Sequence, residues 1–211
     1  MEEEVRSKLN SLVEELLKCF SEKVIPKLKA ISDETKRFLY FIAWLNNFLK
    51  SKSLGRIVIT GGFAVELYTG RVYRTMDVDI IIEGSEAVDI VKKFLESFSD
   101  SIGRGFLPSY DILQLKSIDI VSSVYTKQVE PVEVCIEGLC AYVEPVEELI
   151  ITYLSGWKYW GSTEDRDKAL WLLASWFNKV DWAFLENRAL NNNVYDRLLE
   201  LRRLLESSIS T

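Results

Sequence analysis

The stretch IVITGGFAVELYTGRVYRTMDVDIII, residues 57–82, constrains this chain more than any other. An apolar run from Ile57 to Ile59 leads through Thr60 into a Gly61-Gly62 pair. A short amphipathic segment follows, then a basic turn with Arg71, Arg74 and Thr75, then a second apolar run that carries Asp77 and Asp79. Alternate residues of a strand share a face, so Asp77 and Asp79 project side by side. Carboxylates held that way repel each other unless a cation lies between them. A glycine turn that opens a helix offers unpaired backbone N–H groups to an anion. A cation site beside an anion site suits chemistry on a nucleoside triphosphate.

A third carboxylate, Asp119, occurs in the later run KSIDIVSS. Strand alternation sets it on the face opposite Ile118 and Ile120, and burying it there without a partner is costly. If its strand lies beside the Asp77–Ile82 strand, three carboxylates meet, which suits an oxygen-ligated divalent cation such as Mg²⁺. The chain has no histidine. Ser-His-Asp and Cys-His catalysis and His-ligated zinc are therefore excluded, and a general base has to be a carboxylate, a lysine or a metal-bound oxygen.

Gly61-Gly62, fourteen intervening residues, Asp77-Val78-Asp79 and then Asp119 together resemble the polymerase-β-like nucleotidyltransferase superfamily. The phrasing GGFAVELYTGRVYRTMDVDI is most similar to its small prokaryotic branch, which includes abortive-infection and toxin-type enzymes. The resemblance covers about residues 55–160, with a slightly long spacing between Gly62 and Asp77 that falls in the turn Thr69–Thr75. It implies an α/β (α+β) fold with a mixed sheet, flanking helices and a helical C-terminal region. It implies that Asp77, Asp79 and Asp119 are the catalytic and metal-binding residues, holding two Mg²⁺ ions, and that Gly61 and Gly62 let the backbone approach the triphosphate of an NTP donor. Arg71, Arg74 and, by position alone, Lys158 are the candidate phosphate ligands. The implied activity is transfer of a nucleoside monophosphate to a hydroxyl of an RNA such as tRNA, a protein or a small molecule. The alternative is a catalytically inactive nucleotide-binding or protein-interaction module of the same fold. Whether a cognate partner protein acts on the chain stays open.

Each piece alone also has a plain structural reading. The glycines suit any strand-to-helix turn, the arginines suit salt bridges to Glu66 or the Asp pair, and Lys158 suits packing over Trp157 or Trp160.

The organisation expected from periodicity is N-terminal helices over 1–50, a mixed α/β region over 51–144, which the resemblance implies is the nucleotidyltransferase domain, and a helical region over 145–211. Val5, Leu9, Leu12, Val13, Leu16 and Phe20 mark one helical face. Ile112–Leu115 and Ile118–Val121 read as two closely spaced antiparallel strands. Val132–Ile136 and Leu139–Val143 read as a hairpin turning at Glu137-Gly138. Cys135 and Cys140 then face each other. A disulfide is geometrically open to them, but the preferred reading is two small buried apolar side chains. After Pro145 a helix is expected to about Leu154, followed by helices over 163–178, 181–190 and 193–207. The tryptophans concentrated there read as core between helices. A net charge of −6 argues against coating by bulk nucleic acid. No apolar run reaches the length of a membrane span and the N-terminus is unlike a signal peptide, so the expected location is the cytoplasm.

Overall fold

A computed structural model describes residues 2–102 and 105–209; Met1, in the first expected helix, lies outside them. The chain divides into two compact units: residues 1–63, 75–126 and 131–143 in the first, and 64–74, 127–130 and 144–211 in the second.

The first unit holds the sheet and the N-terminal helices. Helix α1 (Glu2–Cys19) continues through a π-helical stretch (Phe20–Val24) into α2 (Ile25–Ala30). Helix α3 (Glu34–Ser51) starts at Asp33, whose side chain accepts the Lys36 N–H. That is the standard use of an aspartate before a first turn. The strands are β1 (Arg56–Ile59), β2 (Asp77–Glu83), β3 (Ser99–Ile102), β4 (Gly105–Pro108), β5 (Ser117–Ser122), β6 (Val132–Ile136) and β7 (Leu139–Val143). They form one seven-stranded mixed sheet in the order β3-β4-β5-β2-β1-β7-β6. Helix α4 (Gly61–Tyr68) follows β1, and α5 (Ser85–Glu96) follows β2. Val78, Ile80 and Ile82 are fully buried, with α5 packed on β2 and α3 on β1 and β7. Phe20 lies at the centre of an aromatic cluster, with the rings of Phe41, Trp44, Phe94, Phe98 and Tyr110 at 4.9–5.8 Å. Asn46, also fully buried, accepts the Ile57 N–H and donates to the Cys140 carbonyl, both at 2.7 Å. It thereby ties α3 to the start of β1 and to β7.

The mixed sheet matches the expected fold class, and two local expectations are corrected. Residues 112–115 are a turn, not a strand. Their polar groups are used locally: Leu113 N–H donates to the Tyr110 carbonyl, and Arg37 donates to the Ile112 carbonyl. The antiparallel neighbour of β5 is instead β4, which belongs with β3 to a hairpin the periodicity did not show. The expected β6–β7 hairpin is present. Glu137 and Gly138 take φ of 50° and 81°, as a two-residue turn of this twist requires. Cys135 and Cys140 are paired across it and joined as a disulfide. Cys135 is exposed because β6 is an edge strand, so the buried-thiol reading does not hold.

The second unit is helical: α6 (Val146–Trp160), α7 (Thr163–Trp176), α8 (Trp182–Asn191) and α9 (Tyr195–Ile209). Gly161 at φ 65° ends α6, and Ser162 and Asp181 cap α7 and α8 by accepting the N–H of Asp165 and of Phe184. Helix α6 runs six residues past Leu154, to the left-handed glycine. The tryptophans of this unit are not sealed in a core. Trp160 is 81% exposed, while Trp176 and Trp182 sit at helix edges and donate to the carbonyls of Tyr68 and Phe177. Glu148 is buried and receives a two-pronged contact from Arg188 at 2.8 and 3.0 Å. Among the described residues, no helix is long and apolar enough to cross a membrane.

Candidate active site

The central strand of the sheet, β2, carries Asp77 and Asp79 at its beginning, both half-buried. On one side it pairs with β5 in parallel, and the register sets Asp77 opposite Ser117 and Asp79 opposite Asp119. Cross-strand partners share a face, so Asp119 joins the side of the sheet that holds the Asp77–Asp79 pair. On the other side β2 pairs with β1 antiparallel, and Thr60 N–H donates to the Asp79 carbonyl at 3.0 Å. That bond brings the Gly61-Gly62 turn level with Asp79.

Gly61 touches the Asp79 carboxylate directly. A Cβ on Gly61 would lie 1.9 Å from Asp79 Oδ2, and its φ is +60°. Any side chain there would push the Asp79 carboxylate aside and strain the backbone. Gly105, opposite Asp119 on β4, has the same relation to the third carboxylate: a Cβ would lie 2.0 Å from Asp119 Oδ1. Sequence reasoning missed Gly105, although a glycine opening an apolar strand is a signal for close approach.

The carboxylates differ in their partners. Thr75 Oγ1 donates to Asp77 Oδ1. Asp119 Oδ1 is buried and has no hydrogen-bond partner among the described residues. A buried carboxylate oxygen without a donor, in a set made only of oxygen ligands, fits a hard divalent cation. The absence of a side chain at Gly61 and Gly105 is what lets the Asp79 and Asp119 carboxylates sit where they do. A second group of ligand-type side chains, Glu133 with Cys135 and Cys140, has its donor atoms within 4.8 Å of one another, but both sulfurs are taken up in the disulfide.

The basic candidates belong to the second unit. Arg71 is half-buried at φ 75°, and Arg74 is exposed. Between them, Tyr73 donates to Glu164 at 3.1 Å, packs on Trp171 and lies under the Lys168 ammonium. Lys158 donates to the Asn193 carbonyl and to Asp196 Oδ1, the latter at 2.6 Å. This contact holds the Asp196 carboxyl below its usual range.

No family profile matches the chain, and no characterised protein matches it in sequence. Solved structures do. An antigenic nucleotidyltransferase-like protein from Paracoccidioides brasiliensis superposes with a TM-score of 0.53 at 19% identity, covering 85% of this chain and 93% of that one. The chain has a nucleotidyltransferase-like fold. Two structures of the antibiotic-resistance factor ANT(2″)-Ia align over 77% and 74% of this chain, and over 96% and 95% of their own, at 16% and 14% identity. One of them is a complex with adenylyl-2″-tobramycin. Their TM-scores of 0.44 and 0.46 add nothing to the fold assignment.

Proposed function

We propose that this protein is a Mg²⁺-dependent nucleotidyltransferase of the small prokaryotic branch, moving a nucleoside monophosphate from an NTP to an acceptor hydroxyl. The observation that carries this reading is the register that sets Asp119 opposite Asp79, with Gly61 against the same carboxylate. Asp77, Asp79 and Asp119 would hold the divalent cations, which when bound supply charge neutralisation on the triphosphate and favour ionisation of the attacking hydroxyl. Asp119 accepts the proton of that hydroxyl, the role left to a carboxylate in a chain without histidine. The hydroxyl oxygen attacks the α-phosphorus, the bond to the bridging oxygen breaks, and pyrophosphate leaves. Gly61 and Gly62 allow the first N–H groups of α4 to approach a phosphate. Arg71 and Arg74 are proposed phosphate ligands on the loop that runs into Asp77. For Lys158 to join them, its ion pair with Asp196 must open.

The toxin-type resemblance points to RNA or protein as acceptor and the acidic composition argues against a large RNA, so the acceptor class is read from where the label goes. The test is incubation with Mg²⁺ and each α-³²P-labelled NTP, with total tRNA and without added acceptor, beside the Asp77→Ala/Asp79→Ala variant. Label that moves to RNA or to the protein itself, and is lost in the variant, is the expected result. Mg²⁺-dependent nucleotide binding with no transfer of label in any of these incubations would favour a nucleotide-binding module instead.

A further inference from the structure

Lys116 lies immediately before β5, and its side chain is fully buried. Lysine is rarely found in such a place unless its charge is answered. The answers here converge on the entrance to β2. The Lys116 ammonium donates to the Thr75 carbonyl, pairs with Glu34 Oε1 at 3.3 Å, and lies 5.8 Å from the ring centre of Phe63, the residue after the Gly61-Gly62 turn. Thr75 is itself 8% exposed and donates from Oγ1 to Asp77 Oδ1. The neighbouring backbone bond, Ser117 N–H to the Met76 carbonyl at 3.0 Å, opens the β2–β5 ladder at the same level.

We infer that Lys116 is a positioning residue that acts through Thr75 on Asp77, the inference resting on the metal-binding role proposed for Asp77. An apolar side chain would fill the same volume without the cost of burying a charge. The ammonium instead holds the carbonyl of Thr75, whose hydroxyl grips the first carboxylate. A hydroxyl bonded to one carboxylate oxygen fixes the rotation of the group, and such supporting contacts set the affinity of a metal site. Glu34, in the first turn of α3, orients the ammonium from the other side. The chain Glu34–Lys116–Thr75–Asp77 thus runs from a helix start through a buried cation to the site.

The probe is Mn²⁺, titrated against the whole chain with free ion read by electron paramagnetic resonance and folding read by the melting temperature. Thr75→Val removes the hydroxyl and keeps the branched shape, Thr75→Ser restores the hydroxyl, and Lys116→Met/Glu34→Gln removes both buried charges together. Thr75→Val and the double variant are expected to weaken Mn²⁺ binding about tenfold, with kcat lowered and KM for the nucleotide little changed. Thr75→Ser is expected to return to within about twofold of the parent, as a conservative replacement that keeps the second-sphere donor. Folded Thr75→Val and double variants that bind Mn²⁺ like the parent would overturn the inference while leaving the proposed activity standing. If the double variant does not fold, Thr75→Val against Thr75→Ser decides. A parent chain that binds no Mn²⁺ overturns the proposed function first, and this inference with it.

Discussion

In the first unit Phe20 is buried among five aromatic rings, whereas in the second a buried position on α6 holds Glu148, paired to Arg188. The second unit repeats the pattern where Lys127 meets the buried Glu144 at 3.1 Å, and nearer its surface Lys168 pairs with the exposed Glu164 at 2.8 Å over the ring of Tyr73. The first unit also buries a charge, Lys116, but at the edge of the carboxylate site. The driving force of apolar burial is non-directional and a core relaxes partly around a lost side chain, whereas a buried ion pair has to be kept whole or removed whole. The two units should therefore fail differently.

The largest expected effect separates chemistry from stability within the first unit. Asp119→Ala should lower kcat by about 10³-fold, the scale set by losing one essential electrostatic contact. Its melting temperature should equal or exceed the parent's, because it removes a buried carboxylate oxygen that has no donor among the described residues and relieves repulsion with Asp79. A fall in melting temperature alongside activity would mark Asp119 as structural.

Next comes the contrast between the units. Phe20→Ala should cost about 3–5 kcal/mol in a denaturant titration, through lost burial plus a cavity. Arg188→Met should cost about 3 kcal/mol because it strands the Glu148 charge. Restoring the balance with Glu148→Gln/Arg188→Met should recover most of that loss. A double variant no better than Arg188→Met would show that the pair is valued for packing, as in the first unit.

The smallest effect is a pH dependence confined to surface pairs. The hydrogen bond from Lys168, aided by its charge and by the Tyr73 hydroxyl, holds the Glu164 carboxyl below its usual range. Asp196 is lowered in the same way by Lys158. A lowered carboxyl contributes stability above its unfolded pKa, and the contribution is lost as pH falls through the folded value. The second unit should therefore loosen first in acid, from the ordinary carboxyl range down through the lowered values, and modestly, since both groups are largely exposed. In the first unit Lys50 is raised by the hydrogen bonds it donates to Tyr142 and Glu133, so its contribution is present at neutral pH and fades as pH rises through the folded value. Tryptophan fluorescence reads the acid limb, because Trp157, Trp160, Trp171, Trp176 and Trp182 all belong to the second unit.

Much of this was legible in the residues. Gly61-Gly62, the Asp77–Asp79 pair and the Glu137-Gly138 hairpin each rest on a local rule: a glycine turn, a period of two, a left-handed loop. What escaped had its cause elsewhere in the chain. β3, as SDSI, is polar and shows no apolar alternation. It is a strand because β4 pairs with it. The apolar pattern at 112–115 resembles a strand, but its hydrogen bonds go to the local turn and to Arg37. The second unit claims residues 64–74 and 127–130, and no change in composition marks those boundaries. Lys116 looks like an ordinary surface lysine until Glu34 and Thr75, far apart in sequence, are placed around it.

By itself the sequence determined which groups are available: carboxylates and no histidine, glycines at a strand end, and apolar runs long enough for strands and helices. The tertiary structure decided that Asp119 stands opposite Asp79, that Gly105 makes room for it, and that a buried lysine supports Asp77. The reason is physical. Side-chain identity and backbone preference are local properties, but strand register is set by hydrogen bonds between segments separated by tens of residues, and only that pairing puts the charges on one face.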